Sequence, residues 1–140
     1  ALVIATGAAA CGMKVSMFFT FWATSALRSG TAQQPGKRLM ERMFGWMLPN
    51  GIRRTKLSKM EMGGLGRWMM LREMKSHKMQ DADELLGMAA ELGVEIRVCE
   101  MSMRLMGIRS EELIEYPRME FCGAASLAEQ LSQANSSLFI

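Results

Sequence analysis

Few side chains in this sequence can do covalent chemistry at neutral pH, and the cysteines stand out among them. There are three, Cys11, Cys99 and Cys122, with one histidine, His77, and no Cys-x-x-Cys pair. An odd, sparse set does not make a disulfide framework. A reducing, cytoplasmic setting is the simpler expectation. Cys99 closes the apolar run "VEIRVC" and is followed at once by "EMSMRLMGI". A thiol at a strand-to-helix turn meets unpaired backbone N–H groups and the positive end of a helix, which favour its thiolate. Cysteine is also commonly buried in its own right, so the chemistry alone leaves Cys99 open as a reactive thiol or an inert core residue. Cys11 lies among small apolar residues and is expected in the core. Cys122 ends another apolar run and is a candidate second thiol beside Cys99.

Other chemistries find less support. His77 lies among Lys75, Ser76 and Lys78 and is expected in solvent. It has no cysteine at zinc-site spacing, and no metal site is assigned. "GGLG" at Gly63 to Gly66 lacks the preceding strand and full glycine pattern of a nucleotide fingerprint. The doublets "MEM" and "MSM" evoke soft-metal ligands, and 16 methionines is a high count. Methionine equally fills irregular cores and pliable interfaces.

These residues need a scaffold, and 140 residues suffice for one ordinary core. The net charge of +3 gives no reason to expect nucleic acid as a partner. The local basic cluster Arg53, Arg54, Lys56 and Lys59 reads as a solvated loop or a contact for an acidic partner. No run reaches the roughly 18 apolar residues that span a bilayer. No basic segment precedes the apolar start, so a signal peptide is not expected.

Residues 1 to 11 read as the end of a helix closed by Gly12. Lys14 to Trp22 read as a buried strand, followed by helical turns over Ala23 to Ser29 and a loop to Gly36. Lys37 to Leu48 has helical spacing, with Leu39, Met40, Met43 and Met47 on one side. After a polar connection, Leu65 to Lys78 forms a helix with the stripe Leu65, Trp68, Met69, Leu71 and Met74. Asp81 and Glu84 make a capping box for the next helix, which stops at Gly93. Val94 to Cys99 is a strand. Short helices follow at Met103 to Met106 and from a Ser110 cap to Tyr116. Arg118 to Cys122 is a strand, Ala124 to Ala134 a helix, and "SSLFI" a terminal strand.

Strands alternating with helices predict an α/β fold, a mainly parallel sheet with helices on both faces in three Rossmann-like or flavodoxin-like layers. In such sheets ligands collect at the carboxyl ends of strands. Thr20, Phe21 and Trp22, then Cys99, then Cys122 should meet there. Met101, Ser102 and Met103 follow Cys99 and complete the expected pocket.

Five segments occur in order: "FFTFW", "LSKMEMGGLG", "CEMSMRLMGI", "EELI" and "SQANSSLFI". Together they resemble the DsrE/DsrF/DsrH-like family of sulfur-relay proteins, in its peroxiredoxin-like labelled subgroup. No Thr-x-x-Cys peroxidatic pattern is present to support that label. The resemblance spans nearly the whole chain. It implies a Rossmann-like fold, a homo-oligomer (dimer, trimer or hexamer) and an intracellular sulfurtransferase or sulfur carrier. Cys99 corresponds to the sulfur carrier. It would hold sulfur as a persulfide and pass it to an acceptor thiol with no cofactor, between rhodanese-like donors and TusA-like carriers. Residues 1–140 would form one domain lacking the family's usual first strand. Cys122 stands where the family pattern leads one to expect glycine, and it would offer a route from persulfide to disulfide. The alternative is a non-enzymatic interaction module. Its Met-rich helix, with Trp68, Met69, Met70 and Met74 beside Arg67, Arg72 and Lys75, would dock on a partner or touch a membrane peripherally.

Overall fold

The computed structural model describes residues 1–31, 33–52, 65–77 and 79–140. The basic cluster at Arg53 to Lys59 and the Gly63–Gly66 motif's first two glycines lie outside the described residues. Helix α1 (Leu2–Ala10) leads to strand β1 (Ser16–Phe19) and a 3-10 helix (Phe21–Leu27). Helices α2 (Leu39–Met47), α3 (Leu65–Ser76) and α4 (Ala82–Glu91) come next. Strand β2 (Glu95–Cys99) runs directly into α5 (Glu100–Met106). A 3-10 turn (Ser110–Glu112), strand β3 (Met119–Cys122) and α6 (Ala124–Gln133) complete the order. The described strands form one parallel sheet in the order β1-β2-β3.

Helix boundaries follow from local chemistry. The Asp81 carboxylate accepts from the N–H groups of Asp83 (3.0 Å) and Glu84 (2.9 Å), while Glu84 accepts from Asp81 N–H at 2.9 Å. This is the expected capping box. Gly12 and Gly93, at φ 81° and 76°, close α1 and α4. Each lets the next N–H reach back, Met13 to the Ala8 carbonyl and Val94 to Ala89. That geometry needs a left-handed residue and turns the chain sharply into a strand.

The alternation of β-strands gives the sheet two different faces. Val15, Met17, Val94, Ile96 and Val98 point to one. There Ala5 and Ala9 of α1 and Ala89 of α4 pack closely, and Ile96 and Val98 join Leu27, Leu86, Met103, Met106 and Ile108 in the main core. The other face carries charge. Arg97 pairs with Glu120 (3.2 Å) and Glu95 (3.5 Å), and Glu95 meets Lys14 at 3.5 Å. Helix α6 approaches this face through Gln130, which lies against Ser16 and Arg97.

Several expectations need correcting. β1 is shorter than Lys14 to Trp22, because Phe21 takes φ 45° and cannot continue a ladder. Cys11 is exposed rather than core, since α1 is small and apolar on every side and no stripe fixes which residue turns inward. Leu39, Met40, Met43 and Met47 of α2 are exposed, and Phe44 and Leu48 face the core instead. The α3 side chains Leu65, Trp68, Met69 and Leu71 are exposed as well, with the Arg72 guanidinium 5.5 Å over the Trp68 ring. Ser110 does not cap a helix to Tyr116. The 3-10 turn ends at Glu112, because Leu113 bridges to Arg28 and Ile114 N–H bonds to the Leu27 carbonyl. The terminal "SSLFI" is not a strand, and Leu138, Phe139 and Ile140 are exposed.

Glu112 fastens these pieces together. Its backbone carbonyl accepts from Ser29 N–H at 2.9 Å, and its carboxylate accepts from Gln34 N–H at 2.8 Å. The Lys37 ammonium sits 2.7 Å from both carboxylate oxygens, and both side chains are 1% exposed. Burial pushes the Glu112 carboxyl up, but the Gln34 N–H and Lys37 outweigh it and hold the carboxyl below its ordinary value. Removing one partner leaves a buried, uncompensated charge. Lys37→Met is therefore expected to destabilise the fold by about 3–5 kcal/mol in denaturant unfolding. Adding Glu112→Gln, which keeps an acceptor for Gln34, should recover part of the loss. Because the folded carboxyl is depressed, its stabilisation is present at neutral pH and is lost as pH falls through the folded value. Glu112→Gln should flatten that acid limb. A Lys37→Met protein as stable as the parent would remove the ion pair from this role.

Candidate functional site at the strand ends

Parallel pairing brings the predicted residues to one edge. Phe19 pairs with Val98, so Thr20 falls level with the next residue, Cys99. Cys99 pairs in register with Cys122. The three residues thus form a row across the sheet, with Cys99 in the middle. Because register partners in neighbouring strands share a face, Cys99 and Cys122 lie on the charged side with Arg97 and Glu120.

Cys99 is 5% exposed and serves as the N-cap residue of α5. Ser102, one turn on, is buried, and its hydroxyl lies 2.9 Å from the Thr20 hydroxyl. Burial pushes the Cys99 thiol up. Hydrogen bonds from the Ser102 hydroxyl and N–H, the Thr20 hydroxyl and the Met101 N–H outweigh it, and the thiol is held below its ordinary value. A thiolate only accepts, and a hydroxyl or N–H bonds its charge more strongly than it bonds a neutral thiol, so donors beside the sulfur favour ionisation. Two hydroxyls and two amides around one anion suit a nucleophile. Glu100, an unfavourable neighbour by sequence, reaches instead to Arg104 at 3.5 Å.

The other predicted pocket residues divide. Thr20, Ser102 and Met101 meet the sulfur. Met103 is buried in the main core with Leu27 and Val98. Phe21, Trp22 and Met101 expose their side chains (52%, 61% and 65%) and are not inner walls of a pocket. Phe21 is the one non-glycine with positive φ among the described residues, in a region that costs a bulky side chain about 1–3 kcal/mol. Such strain beside Thr20 marks a position whose geometry is held by its surroundings. His77 is exposed and bonds Glu73 at 3.0 Å.

Arg97 belongs to the site and was not among the predicted residues. Burial pushes the Cys122 thiol up, the Arg97 guanidinium opposes this, and the nearby Cys99 and Glu120 charges push up again, leaving it above its ordinary value. The signal was present in the spacing: Arg97 precedes Cys99 by two, as Glu120 precedes Cys122, which sets all four on one face. The two thiols are thus separated in acidity. Alkylation of Cys99 by iodoacetamide is expected to have a lower pH midpoint than that of Cys122. Ser102→Ala and Thr20→Val each remove a donor to the thiolate, so each should raise the Cys99 midpoint and slow alkylation severalfold at neutral pH. Unmoved midpoints in both variants would exclude the two hydroxyls as the cause.

Comparison with known proteins gives this geometry a context. The chain is 36% identical over 140 residues to the protein described as "Uncharacterized protein YrkE" of Bacillus subtilis (strain 168), covering 100% of this chain and 86% of that one. It is 28% identical over 144 residues to "Sulfur carrier protein DsrE2" of Allochromatium vinosum, covering 99% and 86%. A model of the DsrE/DsrF/DrsH-like family matches residues 1–139. With its parallel sheet and its thiol at a strand end, this chain belongs to the DsrE/DsrF/DrsH-like family.

Proposed function

We propose that the protein is a sulfur-relay carrier that holds sulfur as a persulfide on Cys99 and passes it to an acceptor thiol. The observation that carries this reading is the place of Cys99, at the end of β2 and N-capping α5 in line with Thr20, whose hydroxyl meets that of Ser102; these groups hold the thiol pKa below its ordinary value. Its similarity to a protein named as a sulfur carrier supports the same class of function. In the first step the Cys99 thiolate attacks the outer sulfur of a donor persulfide. A new S–S bond forms, the donor S–S bond breaks, and the donor leaves as a thiolate. In the second step an acceptor thiolate attacks the outer sulfur of Cys99–S–SH, and the Cys99 thiolate leaves. The number of S–S bonds is constant, so neither step needs an oxidant or a cofactor. The raised acidity of the thiol helps both steps, since Cys99 is the nucleophile in one and the leaving group in the other.

A nearly buried sulfur requires a partner that docks closely. Phe21 and Trp22, next to Thr20, and Met101, two residues past Cys99, expose apolar side chains available for that contact. Donors of the rhodanese type, small TusA-like acceptors, a cytoplasmic location and a homo-oligomeric state belong to this proposal. Incubation with inorganic polysulfide is expected to add one sulfur atom to the protein, detected by intact mass. Cys99→Ser should abolish the adduct and Cys11→Ser should keep it. Full loading in Cys99→Ser would defeat the proposal.

A second reading is favoured by α3, whose Trp68, Met69, Met70 and Leu71 side chains are exposed beside Arg72. Exposed apolar side chains around a helix that also carries Arg72 suit a peripheral contact with an anionic membrane. No helix among the described residues is long and apolar enough to cross one. Co-sedimentation with vesicles containing phosphatidylserine should fall on Trp68→Ala with Met69→Ser. Absence of binding by the parent protein removes the membrane version.

A further inference from the structure

The carrier reading uses Cys99 and leaves Cys122 without a task, although the two are register partners on neighbouring strands. We propose that Cys122 is a second station on the sulfur's path, taking the sulfane sulfur from Cys99 and presenting it at the more open edge of the sheet. The inference rests on the persulfide reading of Cys99 and adds a route to it.

Spacing admits sulfur transfer between the two thiols. Adjacent strands lie about 4.8 Å apart, and in-register side chains of a parallel pair leave the backbone in the same direction. Two S–S bonds set end to end span about 4.1 Å, and more while both are half-formed. A single sulfur atom passing in line between the two thiols fits that spacing. Exposure runs the same way. Cys99 is buried, whereas Cys122 is only partly so, at the end of β3, an outer strand among the described residues. Arg97 adds a cation beside Cys122, with its guanidinium 3.2 Å from Glu120. A guanidinium there suits the negative charge of a thiolate or a persulfide anion.

The step balances internally. Cys122 loses its proton to solvent, and its thiolate attacks the outer sulfur of Cys99–S–SH. An S–S bond forms at Cys122 as the one at Cys99 breaks. The electron pair returns to the Cys99 sulfur, where Thr20 and Ser102 receive the thiolate. One persulfide is consumed and one is made, so no oxidant or reductant enters. The difference in acidity sets the direction, because the more acidic thiol is the better leaving group and the more basic one keeps the sulfur.

Trypsin separates the two thiols, cutting after Arg97, Arg104 and Arg118 to give fragments 98–104 and 119–140. The full-length protein is pulsed with inorganic polysulfide, blocked with iodoacetamide at intervals, and mapped by mass. In the parent protein the extra sulfur should appear first on fragment 98–104 and then on 119–140. Cys122→Ser should hold it on 98–104, and Cys99→Ser should reduce labelling of 119–140 to background. Sulfur confined to 98–104 in the parent protein overturns the second station while leaving the carrier reading intact. Equal labelling of 119–140 in the parent and in Cys99→Ser overturns it too, since Cys122 would then load directly. A cross-linked pair of fragments with sulfide released overturns it in favour of attack on the inner sulfur. No label on 98–104 in any variant defeats the carrier reading, and the second station with it.

Discussion

Parallel register is the constraint from which the rest of the site follows. Three strands that run the same way end on the same edge, and pairing fixes which residues arrive there side by side. Thr20, Cys99 and Cys122 are neighbours for this reason alone, though up to 102 positions separate them in the chain. A slip of one residue in β2 would exchange its faces, sending Cys99 toward the apolar helices and Val98 toward the charges. The packing of Ile96 and Val98 in the main core opposes that slip. Core packing therefore sets the orientation of the thiol without touching its sulfur.

The two faces of the sheet divide the labour. One is dry and closely packed, with alanines of α1 and α4 letting the helices approach the strands. The other carries a ladder of Lys14, Glu95, Arg97 and Glu120, each tied to a neighbour. Exposed pairs of this kind contribute little to stability. They do place a permanent cation next to Cys122. The Glu112–Lys37 pair is a different case, fully enclosed and fixed by Gln34 N–H. Through Ser29 and Leu27 it anchors the far end of the 3-10 helix, whose near end begins just after Thr20. The hydroxyl that bonds Ser102 is thus positioned from both directions along the chain.

Much of this was legible in the sequence. Alternating elements pointed to a parallel α/β sheet, the Asp81–Glu84 spacing to a helix start, and the ends of "VEIRVC" and "MEFC" to two thiols at one edge. What escaped had physical reasons. The methionines looked like walls of a pocket. Alternation along a short helix instead buries Met103 and exposes Met101, because only the former faces the core. The stripe on α2 faces outward, since Phe44 and Leu48, four apart, make the inward contacts. Apolar residues on both sides of a helix leave its rotation undecided until a partner surface is known. Phe21 could not be anticipated at all, because a positive φ at phenylalanine follows from what surrounds it and has no local signature. Cys11 fell to the same ambiguity on a helix of small residues.

The hydrogen bonds around Cys99 carry a consequence for how reactivity and folding relate. Active sites commonly hold groups in states the fold would rather avoid, so that activity and stability pull against each other. Here the thiol is more acidic folded than unfolded. By linkage, ionising it favours the native state: the contribution is greatest above the unfolded thiol's value and disappears as pH falls below the folded one. The form of the sulfur that reacts is the form that tightens the chain around it. Capping that sulfur with a neutral group, as alkylation does, withdraws the contribution and loosens the strand ends by that amount.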